Sequence, residues 1–482
     1  MHILAKRLRS SRQQLKARVA IKLVSFAALF SIVAVALLVG AYAASSVKGV
    51  SVSPQKGHVC GGATVVSDGS AIGGSAVKFG AGSSSCTGTS PIVAATPPMG
   101  FNDWYVYRGS VTEQDMLTQA KALISTGLSK LGYNYVVIDD GWQASTRASD
   151  GSLQANPTTF PHGIAWLASQ IHALGLKLGI YEAYGPGTCI NSGALPGSFG
   201  HYQQDANTFA SWGIDFVKFD NCAHPPAAQD TPTTLFPQMG AALKATGRPM
   251  VYSQELPVLV SNEIDPQFTP YSASNAQQFA NYVAISATTS NMWRIAPDLQ
   301  PTAGDATYGD GDIQLMKHMD NDLPLGKYAG PGHWNDLDMI LAGNTAYDSS
   351  LSQADTQMNI WAELASPLFI STDLTKISAT TLSILNNKAV IAVDQSGQQG
   401  HLVETLKNAV DLITKPYPGG GYAVLLVNTT DTNQSVNFPV SDTGETAKTS
   451  TFTNLWSNAV TSATATFTLS IGAYQTVLYR VQ

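Results

Sequence analysis

The sequence predicts an α/β chain in which a closed (β/α)8 TIM barrel is followed by a C-terminal antiparallel β-sandwich. Three observations carry that expectation. From Thr96 to about Lys388 apolar strand candidates alternate with helical patterns, the mark of repeated βα units around a parallel sheet. About eight such units in about 290 residues suit a barrel, which typically takes about 250, and no glycine-rich nucleotide turn suggests an open sheet. Beyond about Val390 helical periodicity stops, and short alternating strands follow, separated by Gly, Pro, Asn and Asp.

Four segments are expected: residues 1–44, 45–95, 96–389 and 390–482. In the first, a basic cluster from Lys6 to Lys22 precedes an uncharged apolar run from Leu23 to Ala44, which ends in Ala41-Tyr42-Ala43. Small residues there suit a signal peptidase, so the chain reads as secreted or periplasmic. The run is also long enough to span a bilayer, which keeps an uncleaved membrane anchor open. The second segment is a Gly/Ser-rich linker or disulfide-closed flap, with short strands suggested at Ala63–Val66 and Ala76–Phe79.

Barrel strands are expected at Tyr135–Asp139, Leu176–Tyr181, Phe216–Asp220, Met250–Ser253, Met292–Ile295 and Pro367–Ser371. Helical spacing marks Glu113–Thr126, Ile164–Leu174, Gln203–Trp212, Leu235–Thr246, Ile313–Met319 and Gln353–Leu364. Sandwich strands are expected at Ala423–Val427, Ser435–Phe438, Thr449–Thr453, Ala465–Leu469 and Gln475–Arg480. Cys60 and Cys86 flank the Gly/Ser segment, while Cys189 and Cys222 follow consecutive strands, so an oxidising compartment would pair 60 with 86 and 189 with 222.

Only 12% of residues are charged and the net charge is −6, which argues against a disordered tail and against nucleic-acid binding. A neutral substrate fits this balance. In a barrel the chemistry sits at the carboxyl ends of the strands, so acids that close apolar runs are the ones to collect. They are Asp139 with Asp140, Asp220 and Asp298, although any one alone could simply cap the next helix. Asp139 and Asp140 suit a bidentate grip on sugar hydroxyls, with Trp104 and Trp142 as apolar walls. No His cluster supports a metal there, and no cofactor is expected.

Lys218 shares a strand face with Asp220 and is expected to keep it ionised, as a nucleophile must be. Asp298, beside Pro297 and Leu299, is expected to have a raised pKa and to donate a proton, with Arg294 orienting it or holding a hydroxyl. Asp305, Asp310, Asp312, Asp336 and Asp338 stay open as other donors. Two carboxyl groups in these roles cleave a glycosidic bond.

Ordered blocks extend this reading. Thr96-Pro97-Pro98-Met99-Gly100-Phe101-Asn102-Asp103-Trp104, Ile138-Asp139-Asp140-Gly141-Trp142, Gly179-Ile180-Tyr181, Thr188-Cys189, Pro196-Gly197-Ser198 and Asp205-Ala206 come first. Lys218-Phe219-Asp220-Asn221-Cys222, Gly330-Pro331-Gly332-His333-Trp334-Asn335-Asp336-Leu337-Asp338-Met339 and Ser366-Pro367-Leu368-Phe369-Ile370 follow. Together, over residues 96 to about 400, they resemble glycoside hydrolase family 27, and within it the α-galactosidases. The resemblance implies Asp220 as nucleophile and Asp298 as acid/base of a retaining double displacement. It also implies that Asp139, Asp140, Tyr181, Lys218, Glu255 and Arg294 contact the terminal sugar, that Cys189 and Cys222 are bonded, and that Asp336 lies near the pocket.

Three departures bear on the substrate. Phe101 stands where the family usually has Trp, Gly141 where it has Cys, and Gln254-Glu255-Leu256 where it has Cys-Glu-Trp. Lost indole and aromatic surface would reshape the pocket near the sugar's 2-position or the leaving group. An oligosaccharide or polysaccharide bearing terminal α-D-galactose is the expected substrate. Specificities for α-N-acetylgalactosaminide, β-L-arabinopyranoside or isomaltose units are the alternatives within the family, and a non-catalytic sugar-binding protein is the alternative outside it.

Overall fold

The computed structural model describes residues 92–482, except 191–192, 226, 228, 258–272, 300–310, 345–350 and 408, together with strands Thr64–Ser67 and Ser75–Lys78. The chain divides into residues 1–90 and 91–482. In the first unit the two short strands pair antiparallel, Thr64 opposite Lys78. Cys60, Cys86 and the apolar run Leu23–Ala44 lie outside the described residues. Among the described residues no helix is long and apolar enough to cross a membrane.

The second unit carries eight parallel barrel strands. They are β1 (Met99–Asn102), β2 (Tyr135–Ile138), β3 (Lys177–Ala183), β4 (Phe216–Asp220), β5 (Val251–Gln254), β6 (Met292–Arg294), β7 (Trp334–Asp336) and β8 (Leu368–Ile370). They pair in chain order, and β8 returns to β1 with Leu368 opposite Met99. The circle closes just past β7, where the Ile340 N–H donates to Phe369 O at 2.7 Å and the Ser371 N–H to Ile340 O at 2.9 Å.

Strands covered on both faces read as unbroken apolar runs, and for that reason β2 to β6 and β8 are visible in the sequence. Met99–Asn102 and Trp334–Asp336 are not: Gly100 interrupts the first, and Trp334 is the one apolar side chain of the second. Gly100 is required in β1: a Cβ there would stand 2.2 Å from Tyr135 O on the neighbouring strand.

Tyr135, Phe216 and Phe369, from β2, β4 and β8, fill the barrel with ring centroids 5.2–6.3 Å apart. Met292 of β6 lines the same interior. Barrel interiors are built this way, in layers drawn from alternate strands. The layer shuts the lower barrel and leaves the polar strand ends facing one open mouth.

Seven longer helices pack outside: α1 (Glu113–Ser125), α2 (Ile164–Ala173), α3 (Tyr202–Trp212), α4 (Pro232–Ala245), α5 (Ala273–Thr289), α6 (Gly311–Asp322) and α7 (Leu351–Leu364). A capping box opens α1, with Thr112 Oγ1 accepting from Asp115 N at 3.2 Å and Asp115 Oδ2 from Thr112 N at 3.0 Å. The sequence marked each of these helices except α5.

The sandwich holds β9 (His401–Leu406), β10 (Val410–Pro416), β11 (Tyr422–Asn428), β12 (Gln434–Pro439), β13 (Ser450–Asn454), β14 (Val460–Ala463), β15 (Thr466–Ile471) and β16 (Thr476–Val481). One sheet runs β9-β10-β11-β16-β13-β14, and β12 pairs with β15 in the other. Central β11 is apolar throughout because it is covered twice: Val424 and Leu426 face the sandwich core, Ala423, Leu425 and Val427 face the barrel. Asn428, a glycan acceptor by sequence pattern, is fully buried and donates to Thr432 O and Gly472 O at 2.7 and 2.8 Å. Its role is structural, whereas Asn433, in the second pattern, is exposed.

Candidate active site

The strand ends converge as the barrel geometry demands. Asp139, just past β2, accepts from Asn102 Nδ2 at 2.8 Å and from Lys218 Nζ at 3.0 Å. Its own N–H donates to Asp103 Oδ1 at 2.6 Å. Burial and the Asp139 charge hold the Asp103 carboxyl well above its usual range. Asn102 and Asp103 thus fix the end of β2, and neither was singled out in the sequence, although they close β1 as the other polar residues close their strands.

Asp140 Oδ2 accepts the Ile190 N–H at 2.8 Å, which ties β2 to the loop after β3. Burial raises its pKa to about 6, against the lowering by that N–H. The same loop carries Cys189, disulfide-bonded to Cys222 as expected, with Cα atoms 5.1 Å apart. Below it Arg147 grips Asp205 with two 2.7 Å hydrogen bonds and donates to Gly197 O at 2.7 Å, while Ser198 Oγ donates to Asp205 at 2.7 Å. The Asp205-Ala206 block is therefore a brace for the loop.

Asp220 ends β4 and is nine-tenths buried. Its Oδ1 accepts the Asn221 N–H at 2.6 Å, and its Oδ2 touches Cys189 Sγ at 3.1 Å. The Tyr181 hydroxyl meets the same sulfur at 3.2 Å, and the Lys218 ammonium stands 5.5 Å from the Tyr181 ring centre. Cys189, Cys222 and Asp220 cluster closely enough to hold a metal, but both sulfurs are consumed in the disulfide.

Lys218 serves more carboxylates than Asp220 alone. Its hydrogen bond goes to Asp139, and its second ion pair is with Glu255 at 3.6 Å. The charges of Asp139, Glu255, Asp220 and Asp298 outweigh its burial and hold it protonated. Alternation put Lys218 on the face of Asp220, but the longer side chain reaches across to β2.

Arg294, at the end of β6, binds three carboxylates: Asp298 at 3.0 Å, Asp338 at 3.3 Å and Glu255 at 3.5 Å. Burial and the Asp220 charge push Glu255 up, against Lys218 and Arg294. Asp298 departs from expectation. Its side chain is 53% exposed. Burial of the carboxyl raises its pKa, but Arg294 and Lys218 outweigh this and leave it below its usual range. The apolar neighbours Pro297 and Leu299 were a poor guide, because a guanidinium at hydrogen-bond distance decides the sign.

Asp336, on β7, is buried and accepts the Asp338 N–H at 2.9 Å. With Asn102, Lys218, Ser253, Arg294 and Asp338 it lines the floor of the mouth. Trp104 is partly exposed, its ring 5.1 Å from the Arg108 guanidinium. Trp142 is no pocket wall: it is fully buried, donates to Tyr181 O at 2.8 Å and meets Trp212 edge-on. Phe101 and Leu256 are also fully buried, so these departures from the family pattern present no surface to a sugar. Gly141, at φ +111°, packs on Gly109 and Ile190. Of the other candidate donors, Asp305 and Asp310 lie outside the described residues.

Asp140 Oδ1 and Arg294 Nε are buried without a hydrogen bond among the described residues, while Glu255 Oε1 has ion pairs alone.

A closed parallel barrel with crowded carboxylates at its open end, carrying a β-sandwich behind it, defines the class of a carbohydrate-cleaving hydrolase. Residues 96–396 match the family model described as alpha galactosidase A, and residues 407–481 match the alpha galactosidase C-terminal beta sandwich domain. The chain belongs to the alpha-galactosidases of glycoside hydrolase family 27. It is 35% identical to human alpha-galactosidase A over 352 residues, 70% of this chain and 75% of that protein. Human alpha-N-acetylgalactosaminidase is 36% identical over 336 residues, 67% and 74% of the two chains. The crystal structure of alpha-galactosidase I from Mortierella vinacea superposes with a TM-score of 0.69 at 32% identity, covering 81% of this chain and 98% of that one.

Proposed function

We propose that this chain is a retaining exo-glycosidase that releases terminal α-D-galactose from an oligosaccharide or polysaccharide outside the cell. Asp220 attacks the anomeric carbon while Asp298 protonates the departing oxygen, and a glycosyl ester forms on Asp220. Asp298, now a carboxylate, takes a proton from a water that attacks the anomeric carbon, and the ester bond to Asp220 breaks to free the sugar with net retention.

The observation that carries the reading is electrostatic. A largely buried carboxylate after β4 and a half-exposed one after β6 both act on Lys218 and on Glu255. A double displacement needs two acids at one pocket, and retention would require their carboxyls to stand about 5–5.5 Å apart. Asp220 is held by a backbone N–H and a disulfide, so little reorganisation precedes attack.

A panel of aryl α- and β-glycosides of galactose, N-acetylgalactosamine, arabinopyranose and glucose tests the reading. The aryl α-galactoside is expected to be cleaved fastest. A higher kcat/KM for α-N-acetylgalactosaminide or β-L-arabinopyranoside would assign the chain to those family specificities, and inertness on every member would favour a binding protein. Asp220→Asn should lower kcat by about 10³-fold or more while sugar binding persists. A variant with most of its activity would remove Asp220 from the nucleophile's role.

A further inference from the structure

Asp338, two residues past β7, has no part in the steps above, yet its backbone and side chain are both held at a cost. Its φ is +83°, in the left-handed region that non-glycine residues avoid, and its carboxyl is buried. The main chain is pinned on both sides: the N–H donates to Asp336 Oδ1 at 2.9 Å, and the carbonyl accepts Trp361 Nε1 at 2.7 Å. This turn aims the carboxyl at the segment that carries Asp298. Oδ2 accepts the Leu299 N–H at 2.7 Å and meets the Tyr105 hydroxyl at 3.4 Å, while Oδ1 lies 3.3 Å from Arg294 Nη1. Tyr105 in turn donates to Leu299 O at 2.6 Å. Leu299 is therefore clamped at its N–H and its C=O, and Arg294, whose other nitrogen bonds Asp298 at 3.0 Å, is steadied from behind.

We propose that Asp338 is the positioning residue for the proton donor, fixing the Asp298 segment through the Leu299 N–H and sharing the Arg294 charge with Asp298. The inference rests on the reading of Asp298 as the acid/base. Asp298 is also faced by the cations Lys218 and Arg108, by Glu255 and Asp336, by the Tyr105 hydroxyl, and by His318, which burial keeps neutral with a pKa of about 4. Among these Asp338 is the acid that competes for Arg294 and also holds the donor's backbone.

The test is Asp338→Asn, which keeps an acceptor for Leu299 and tolerates the left-handed backbone, with Asp338→Gly as a second variant that removes the clamp at the same φ. Activity is measured against pH on an aryl α-galactoside and on a galactosyl oligosaccharide, beside thermal melting and an Asp298→Ala control. Burial holds the Asp338 carboxyl up to about 6 against Arg294, so below that pH Asp338→Asn stands in for its protonated form and is expected to keep the wild-type alkaline limb of kcat/KM. The Gly variant is expected to lose about tenfold more kcat on the oligosaccharide than on the aryl substrate, with KM within about twofold. Equal losses of kcat on both substrates in the Gly variant overturn the inference, and so does failure of both variants to fold. If Asp298→Ala spares neither substrate over the other, the donor assignment itself fails. If that control behaves as a lost acid while the Asp338 variants resemble wild type, the positioning role alone is wrong.

Discussion

At the scale of single residues, Asp298 illustrates how a short contact overrides neighbourhood. A general acid must carry a proton, and Arg294 and Lys218 pull the free-state pKa of Asp298 below the usual carboxylate range. For the free enzyme kcat/KM should thus fall as pH rises from the acid side, giving an acidic optimum. A bound sugar covers the half-exposed carboxyl and removes water from it, which raises its pKa, so the alkaline limb of kcat is expected at higher pH than that of kcat/KM. Coincident limbs in a pH-rate study would contradict this. Asp139, Asp140, Asp220 and Asp298 were legible in the sequence because each ends an apolar run. The partners of Lys218 and Arg294 were not, since long side chains choose among carboxylates on other strands, and strand periodicity is silent about reach.

At the scale of elements, the barrel tolerates very short strands where neighbours supply the rest. β1 and β7 carry no unbroken apolar run, yet β1 brings in Asn102 and β7 brings in Asp336. Gly100 is what lets β1 lie against β2. Gly100→Ala would force a Cβ toward Tyr135 O at 2.2 Å, and a loss of about 3 kcal/mol is expected in denaturant unfolding. An unchanged midpoint would mean that the strands can part freely there. The loop after β3 works differently, because its order comes from outside itself: the Arg147–Asp205 pair, the Ile190 N–H on Asp140 and the disulfide all anchor it. α5 was the long helix the sequence missed, although its composition is no more polar than that of α1, α3 or α6.

At the scale of the whole molecule, the barrel and sandwich share one apolar seam with a buried polar centre. Lys415 of β10 reaches out of the sandwich and donates to Ala362 O at 2.6 Å and Gln398 O at 3.1 Å. Around it burial pushes Glu363 and Asp322 up to about 8 each, pushes Asp394 well up, and brings Lys415 down to about 8. These acids bind protons more tightly in the folded state than unfolded, where they titrate near about 4. Stability is then lost as pH rises from that range toward 8, and regained on acidification. The lysine has the opposite sign, but its window lies between about 8 and 10.4, and His318 opposes only below about 6.5. The melting temperature should accordingly rise by a few degrees as pH falls from about 8 to about 6.5. A flat or falling profile would contradict a seam of buried neutral acids. That two-sided burial also explains why β11 carries no alternation: its sequence records two interfaces at once.

The claim on which the rest turns is that Asp220 forms a bond to the sugar. Treating the protein with 5-fluoro-α-galactosyl fluoride slows the second displacement, and peptide mapping by mass spectrometry then locates the trapped ester. A galactosyl adduct on the peptide carrying Asp220 is the expected result, whereas turnover with that peptide unmodified, or an adduct on another residue, would contradict it.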